Sequence, residues 1–271
     1  MMWRCLLALC ILVSGPVHAA AERIVTLGGS VTEIVYDLGQ GQRLVADDES
    51  SMYPEAARQL PRVGYYRSVP VEGVLAMRPD LVLASENAGP PQALERLKAL
   101  GVALTPVSDK PTIDSLYARI QEIAAALQVP ERGRELAERV RADVAAAQAQ
   151  PSTPRRAVVL VNRTGPLLGA GGNTAAGAVL GLAGLTNALA QQAGYKPVSA
   201  EGLAMLAPDM IIVTEASVKA AGGMDKLVGN PAVAATPAAR AGRVVAMNDL
   251  LILGIGPRVG EAIRSLKAAA R

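Results

Sequence analysis

The sequence predicts an α/β fold: two Rossmann-like lobes with parallel sheets, joined by a single long helix, with a ligand cleft between them. Three observations lead there. The segment Val69 to Glu86, VPVEGVLAMRPDLVLASE, is matched much later by Val198 to Glu215, VSAEGLAMLAPDMIIVTE, at a constant shift that carries Glu72 onto Glu201. The copies share Val, Glu, Gly, Pro, Asp and a closing Glu, and nearly every other pair exchanges one apolar residue for another. Carried backwards, the shift sets Tyr66 against Tyr195 and Arg67 against Lys196, so each copy is led by a tyrosine and a cation. Short apolar runs also alternate with amphipathic stretches, the rhythm of a parallel sheet with crossover helices. Between the two copies, Thr112 to Gln150 reads as helix almost throughout, interrupted only at Val129-Pro130.

In chain order, residues 1–21 read as a removable export signal. Arg4 gives the positive start, Cys5 to Val13 the apolar stretch, and Val17-His18-Ala19 and Ala19-Ala20-Ala21 the small-residue cleavage sites. The apolar stretch is too short to span a bilayer. Leu9, before Cys10, is bulkier than lipoprotein signals usually allow, which favours a soluble exported chain over an anchored one. Arg23 to Leu27 is a buried strand bounded by Gly28-Gly29, and Ser30-Val31-Thr32-Glu33 is a capping box opening a helix that ends near Gly39. GGS departs from the phosphate-cradling GxGxxG pattern, so a tight turn plus a helix cap is the preferred reading there.

Arg43 to Ala46 is a second strand, and the loop from Asp47 to Leu60 leads into Gly64-Tyr65-Tyr66-Arg67. Val71 to Met77 is a helix stopped by Pro79-Asp80. Leu81 to Ala84 is a strand, Pro90 to Leu100 a helix closed by Gly101, and Val102 to Val107 a strand. These complete a first lobe over 22–128. Leu116, Ile120, Ile123 and Leu127 form one apolar stripe. Pro130 suits the first turn of a connecting helix over 129–150, about 20 residues or roughly 30 Å long, which reads as a stiff strut. The second lobe, 151–271, restarts with the strand Ala157 to Val161. Asn173 or Thr174 caps a helix running to about Ala183. GAGGNTAAG departs from the dinucleotide fingerprint because Thr174 takes the third glycine's place. After the second copy come the strand Arg243 to Met247 and the turn Gly254 to Arg258 into a final helix.

Composition narrows the chemistry. With 51% hydrophobic and 19% charged residues a packed core is expected. The net charge is only +3 and no Lys/Arg run exceeds two, which argues against a nucleic-acid partner. Cys5, Cys10 and His18 all fall in the export signal, so the mature chain has neither cysteine nor histidine. That excludes disulfides, Cys/His zinc sites and nucleophile–base machinery built on Cys or His. An exported α/β enzyme would have to work with carboxylates, Lys, Tyr and Ser/Thr, and the one acidic cluster, Asp47-Asp48-Glu49, reads as a solvated loop.

The candidate site residues lie in loops. Phenolate oxygen is a hard ligand suited to ferric iron and is an established haem ligand, so Tyr65 and Tyr66 are either iron ligands or packed loop rings. An adjacent Arg67 favours the anionic phenol. Arg67 lies in the loop between Gly64 and Pro70, and Lys196 and Arg258 each stand beside a Pro; all three are candidates to receive a ligand's carboxylates, Arg bidentately. Glu72 and Glu201, each near a helix start, either serve that helix end or present one acidic knob per lobe to a two-fold partner.

LPRVGYYRSVPVEGVLAMRPDLVLAS, with GYKPVSAEGLAMLAPD and AGRVVAMNDLLILGIGPR, resembles the periplasmic haemin-binding proteins of bacterial ABC haemin importers, class III substrate-binding proteins with a helical backbone. The likeness covers essentially the whole mature chain. GY-x-R is its most specific element, whereas EG-x-x-x-x-x-PD is shared with vitamin B12 and siderophore binders. The resemblance implies a non-enzymatic carrier of haem b that delivers it to an inner-membrane ABC permease dimer, with an outer-membrane haem receptor upstream. It implies Tyr65 as the ferric-iron ligand, with Tyr66 the alternative that the doublet introduces. Tyr195, with Arg67, Lys196 and Arg258, belongs to the implied pocket, and Glu72 and Glu201 to permease docking. Some relatives add a histidine ligand from the second lobe; its absence here implies five-coordinate iron. The alternative cargo is another chelate, cobalamin or a ferric siderophore.

Overall fold

The computed structural model describes residues 21–162 and 165–271; the export signal read over 1–21 lies, Ala21 apart, outside them. Strands β1 (Ile24–Leu27), β2 (Leu44–Ala46), β3 (Leu81–Ser85) and β4 (Leu104–Val107) form an all-parallel sheet in the order β2-β1-β3-β4. Helices α1 (Gly29–Asp37), α2 (Val71–Ala76) and α3 (Pro91–Ala99) accompany it. Successive strand side chains point to opposite faces. Ile24 and Leu83 therefore enter one core cluster, while Val25, Leu27, Val82 and Ala84 enter another. Both faces are covered, which is why these strands read as apolar runs rather than alternating patterns.

The helical stretch between the lobes is two helices, broken ahead of Pro130 as the sequence suggests. α4 (Ile113–Ala126) and α5 (Pro130–Ala149) are separated by a reversal at Gln128, which takes a left-handed φ of 62°. They pack as an antiparallel hairpin, with Arg141 over the Tyr117 ring at 4.3 Å. Leu116, Ile120, Ile123 and Leu127 are all buried, as the apolar stripe predicts, and face Leu136, Val140 and Val144 in one cluster. α5 is held at both ends. Arg132 near its start donates to the Leu38 carbonyl at 3.0 Å. At its far end, buried Lys267 donates to the Gln148 and Gln150 carbonyls at 2.5 and 2.6 Å, a cation at a helix C-terminus.

The second lobe contains β5 (Arg156–Val161), β6 (Leu168–Ala170), α6 (Ala175–Leu182), β7 (Thr186–Asn187), β8 (Tyr195–Pro197), α7 (Ala200–Leu206) and β9 (Met210–Thr214). Then follow α8 (Glu215–Ala220), α9 (Met224–Val228), α10 (Pro231–Ala234), α11 (Pro237–Arg240), β10 (Val244–Met247), α12 (Asp249–Leu253) and α13 (Val259–Ala269). The sheet order is β10-β9-β5-β6-β8, with β7 also on β5. Here the expectation of a parallel sheet holds for β10, β9, β5 and β7 only. β6 folds back antiparallel on β5, and β8 pairs antiparallel with β6. These strands have three residues each, too short for a periodic signal.

The internal repeat is carried into the structure residue for residue. The shift that maps Glu72 to Glu201 maps the start of α2 to the start of α7 and both ends of β3 to those of β9. It also maps left-handed Arg78, φ 46°, to left-handed Ala207, φ 43°. Asp80 accepts from the Glu22 and Arg23 amides, and its counterpart Asp209 from the Arg156 amide, each carboxylate tying the helix–strand turn to the lobe's first strand. The lobes share one hydrophobic cluster, running from Ile24 and Val31 through α4, α5 and α13 to Val159 and Ile212. No helix among the described residues is long and apolar enough to cross a membrane.

Candidate functional site

Ligands of open α/β sheets sit outside the carboxyl ends of the strands, and the loops leaving β2 and β4 meet second-lobe loops there. The tyrosine loop is built on a carboxylate that the sequence reading placed in solvent. Asp47 and Asp48 are fully buried, which corrects the solvated-loop reading. One Asp48 oxygen accepts from the Gly28 amide at 2.9 Å and the Ser50 hydroxyl at 2.8 Å; the other accepts from the Ser50 and Tyr66 amides at 3.0 and 3.2 Å. Arg62 donates at 2.6 Å to both Asp47 Oδ1 and the Asp48 carbonyl. Asp47 is pushed up to about 7 by burial, partly opposed by Arg62. Two of the partners of Asp48, the Gly28 and Tyr66 amides, come from 20 and 18 residues away, so no local pattern announces them.

This network also settles the GGS turn. The Gly28 and Gly29 amides are taken by Asp48 and Ser50, and a Cβ on Gly29 would stand 2.3 Å from the Ser50 carbonyl oxygen. The glycines serve loop packing, not a phosphate. The capping box does not form: Gly28 is the N-cap, without a side-chain cap bond, and Ser30 lies inside the first turn. Glu33 instead runs across the lobe boundary. It is 1% exposed and accepts from Arg258 Nε at 2.9 Å, 225 residues away.

Gly64 has φ 98°, and a Cβ there would stand 2.9 Å from Pro70, so only glycine fits before the tyrosine pair. The turn closes through the Ser68 amide on the Tyr65 carbonyl at 2.8 Å. It separates the two rings. Tyr66 is buried in the first-lobe core, whereas Tyr65 remains 36% exposed. The rings meet edge to face at 5.0 Å, and the Arg67 guanidinium lies 4.9 Å from the Tyr66 centroid. Arg67 donates to both hydroxyls; burial works against its charge, yet the two phenol oxygens hold its pKa above the ordinary value. Burial drives the Tyr66 phenol well above its usual range, with Arg67 pulling it back.

From the second lobe comes Tyr195. It is pushed up to about 12 by burial, while Arg67 and the Ala176 amide, which its oxygen accepts, favour its anion. Tyr65 and Arg67 of one lobe thus act on Tyr195 of the other. Lys196 follows on the same strand, so its side chain points to the opposite face from Tyr195. Arg258 is also committed elsewhere, paired with Glu33 and stacked 3.6 Å from the Tyr53 ring centroid. The structure therefore gathers Tyr65, Tyr66, Arg67 and Tyr195, and sets Lys196 and Arg258 apart from that group. Glu72 and Glu201 are both exposed in the first turns of α2 and α7. Among the described residues no group of three or more His, Cys, Asp or Glu gathers as a metal site.

A family profile described as periplasmic binding protein matches residues 24–250. The chain belongs to the periplasmic binding protein family. Its members bind and carry rather than catalyse, which sets aside the enzyme reading. Among solved structures, this family member is similar to the periplasmic haem-binding protein RhuT from Roseiflexus sp. RS-1, at 39% identity and TM-score 0.87, over 92% of this chain and 97% of that one. It is similar to the periplasmic haem-binding protein BhuT in complex with two haems, at 38% identity and TM-score 0.85, over 92% and 97%. Among curated proteins it is 33% identical over 198 residues to a vitamin B12-binding protein of Yersinia pestis, covering 72% of this chain and 70% of the relative.

Proposed function

We propose that this periplasmic binding protein is exported through its residues 1–21, captures haem b in the inter-lobe cleft and hands it to an inner-membrane ABC permease. The observation that carries the reading is the tyrosine loop. Tyr65 is the accessible phenol of the pair, stands behind a glycine that nothing else can replace, and shares Arg67 with Tyr66 and with Tyr195 opposite. A hard oxygen donor beside a fixed cation suits ferric iron, and the mature sequence offers no Cys or His to compete. Tyr65 is the proposed single protein ligand, giving five-coordinate iron, with Tyr66 the alternative. The two haem-binding neighbours at 38–39% identity support the cargo.

Glu72 and Glu201, repeat-related and exposed, are the proposed docking knobs for a two-fold permease, and an outer-membrane haem receptor is the proposed upstream supplier. The proposed division is a first lobe over 22–128, the connecting helix over 129–150 and a second lobe over 151–271. A cobalamin carrier is the second reading, favoured by the Yersinia relative. Titration of the processed protein with ferric haem and, separately, with cobalamin decides between them. Stoichiometric haem uptake with a high-spin ferric spectrum and no cobalamin uptake is expected; the reverse outcome would replace haem with a corrinoid.

A further inference from the structure

Beside the tyrosines the cleft opens into a cavity of about 500 Å³, walled by Lys110 and Thr112 of the first lobe and Gly172, Asn173, Thr174 and Asn187 of the second. It belongs to the same cleft. Asp109, next to Lys110, acts on the Tyr66 phenol, and Ala176, two residues beyond Thr174, donates its amide to Tyr195.

The charge balance of this wall is one-sided. None of its lining residues is acidic. Asp109 is turned into the first lobe, where its carboxylate is taken by buried Arg119, by the Ser85 hydroxyl at 2.6 Å and by Asn87 at 3.3 Å. The Lys110 backbone amide is anchored on the Ser115 hydroxyl at 2.9 Å, which fixes where the side chain starts. Its ammonium, exposed at the cavity, has no hydrogen bond or ion pair with any described residue. Of the other cations named for the cleft, Arg67 is engaged by the two phenols and Arg258 by Glu33, while Lys196 points to the opposite face of β8 from Tyr195.

We infer that Lys110 is the residue that reads a carboxylate on the ligand, and that it selects a macrocycle bearing acidic side chains over one whose periphery is uncharged amide. The inference rests on the haem reading above, and it assigns one haem propionate to the cavity. An exposed ammonium gains a charge-assisted hydrogen bond from a carboxylate and much less from an amide oxygen. The same residue would then disfavour a corrinoid, whose side chains are amides, so Lys110 contributes to choosing between the two cargo classes that this family's relatives carry.

The test compares ferric haem with its dimethyl ester, in which both carboxylates are masked, on the wild type, Lys110→Ala and Lys110→Arg. Lys110→Ala is expected to weaken haem binding about tenfold, the scale of one charge-assisted hydrogen bond, and to leave the ester's affinity unchanged. Lys110→Arg should keep the preference for free haem. Equal loss for both ligands, or no loss for haem, would overturn the inference while leaving the haem reading intact. A wild-type protein that takes up neither ligand would sink the haem reading, and this assignment with it.

Discussion

The two copies of the repeat are alike where they pack and unlike where they face the ligand. α2 and α7, β3 and β9, the left-handed residue after each helix and the aspartate before each strand correspond one to one. Their leaders do not. In the first lobe Gly64-Tyr65-Tyr66-Arg67 is a turn suspended from buried Asp48, whereas in the second Tyr195-Lys196 lies on the short edge strand β8. Packing constrains every residue of a buried unit, so the skeleton keeps its register. The leaders differ in setting: an accessible phenol on a pinned turn in one lobe, and a short edge strand in the other.

The comparison yields predictions that separate shared from divergent roles. The largest effect is expected at Glu72 and Glu201, where the proposal has the copies meet a two-fold permease. Reversing both glutamates, Glu72→Lys with Glu201→Lys, should abolish haem delivery to permease-containing proteoliposomes while haem affinity stays at the wild-type value. A parallel loss of affinity would make these residues part of the fold or pocket. Next comes the element found only in the first lobe. Asp48→Ala leaves the Gly28 and Tyr66 amides without their partner, and should cost about 3 kcal/mol in denaturant unfolding, with haem affinity falling alongside. An unchanged affinity would mean that the tyrosine turn holds its shape without Asp48.

The shared element should behave alike in both lobes. Asp80→Ala and Asp209→Ala each remove backbone-to-carboxylate hydrogen bonds at equivalent positions, and each should cost about 1 kcal/mol. A severalfold difference between them would show that the likeness is one of geometry and not of energy.

The smallest effect concerns the pair that joins the lobes. Burial raises Glu33 from 4.5 to about 7, with Arg258 opposing. The folded state therefore holds this proton more tightly than the unfolded state, so the stabilisation is complete below 4.5 and is lost as pH rises through 7. Melting temperature should decline across that window, and Glu33→Gln should flatten the decline. Asp47, also raised to about 7, keeps part of the slope. Identical slopes in wild type and Glu33→Gln would remove Glu33 from the account.

What the sequence made legible follows the range of the forces involved. The repeat located α2, α7, β3 and β9, and Thr174 was recognisable as a helix cap because its partner, the Gly177 amide, is three residues away. Asp48 read as a solvated acidic residue because two of its partners, the Gly28 and Tyr66 amides, arrive from across the lobe. Glu33 looked like half of a capping box because Arg258 is 225 residues distant. Pro130 marked the break between α4 and α5, but not the reversal of direction there, because its left-handed residue is Gln128 and not glycine. Within the site the tyrosine pair was visible, but not its division into a buried and an accessible ring, which depends on Asp48 and Gly64. Lys110 carries no local mark at all; only the cavity around it sets it apart.

The central claim is that Tyr65, rather than Tyr66, binds the iron. Phe keeps the ring and removes the oxygen, so the ferric spectrum of each single Tyr→Phe variant loaded with haem tests it most directly. Tyr65→Phe should lose the phenolate-type high-spin spectrum and release haem faster, by more than the ~10–100-fold that a supporting residue costs. Tyr66→Phe should keep the wild-type spectrum, since its oxygen is held by Arg67 within a buried setting. A wild-type spectrum from Tyr65→Phe together with an altered one from Tyr66→Phe would move the ligand to the buried ring and contradict the reading of this loop.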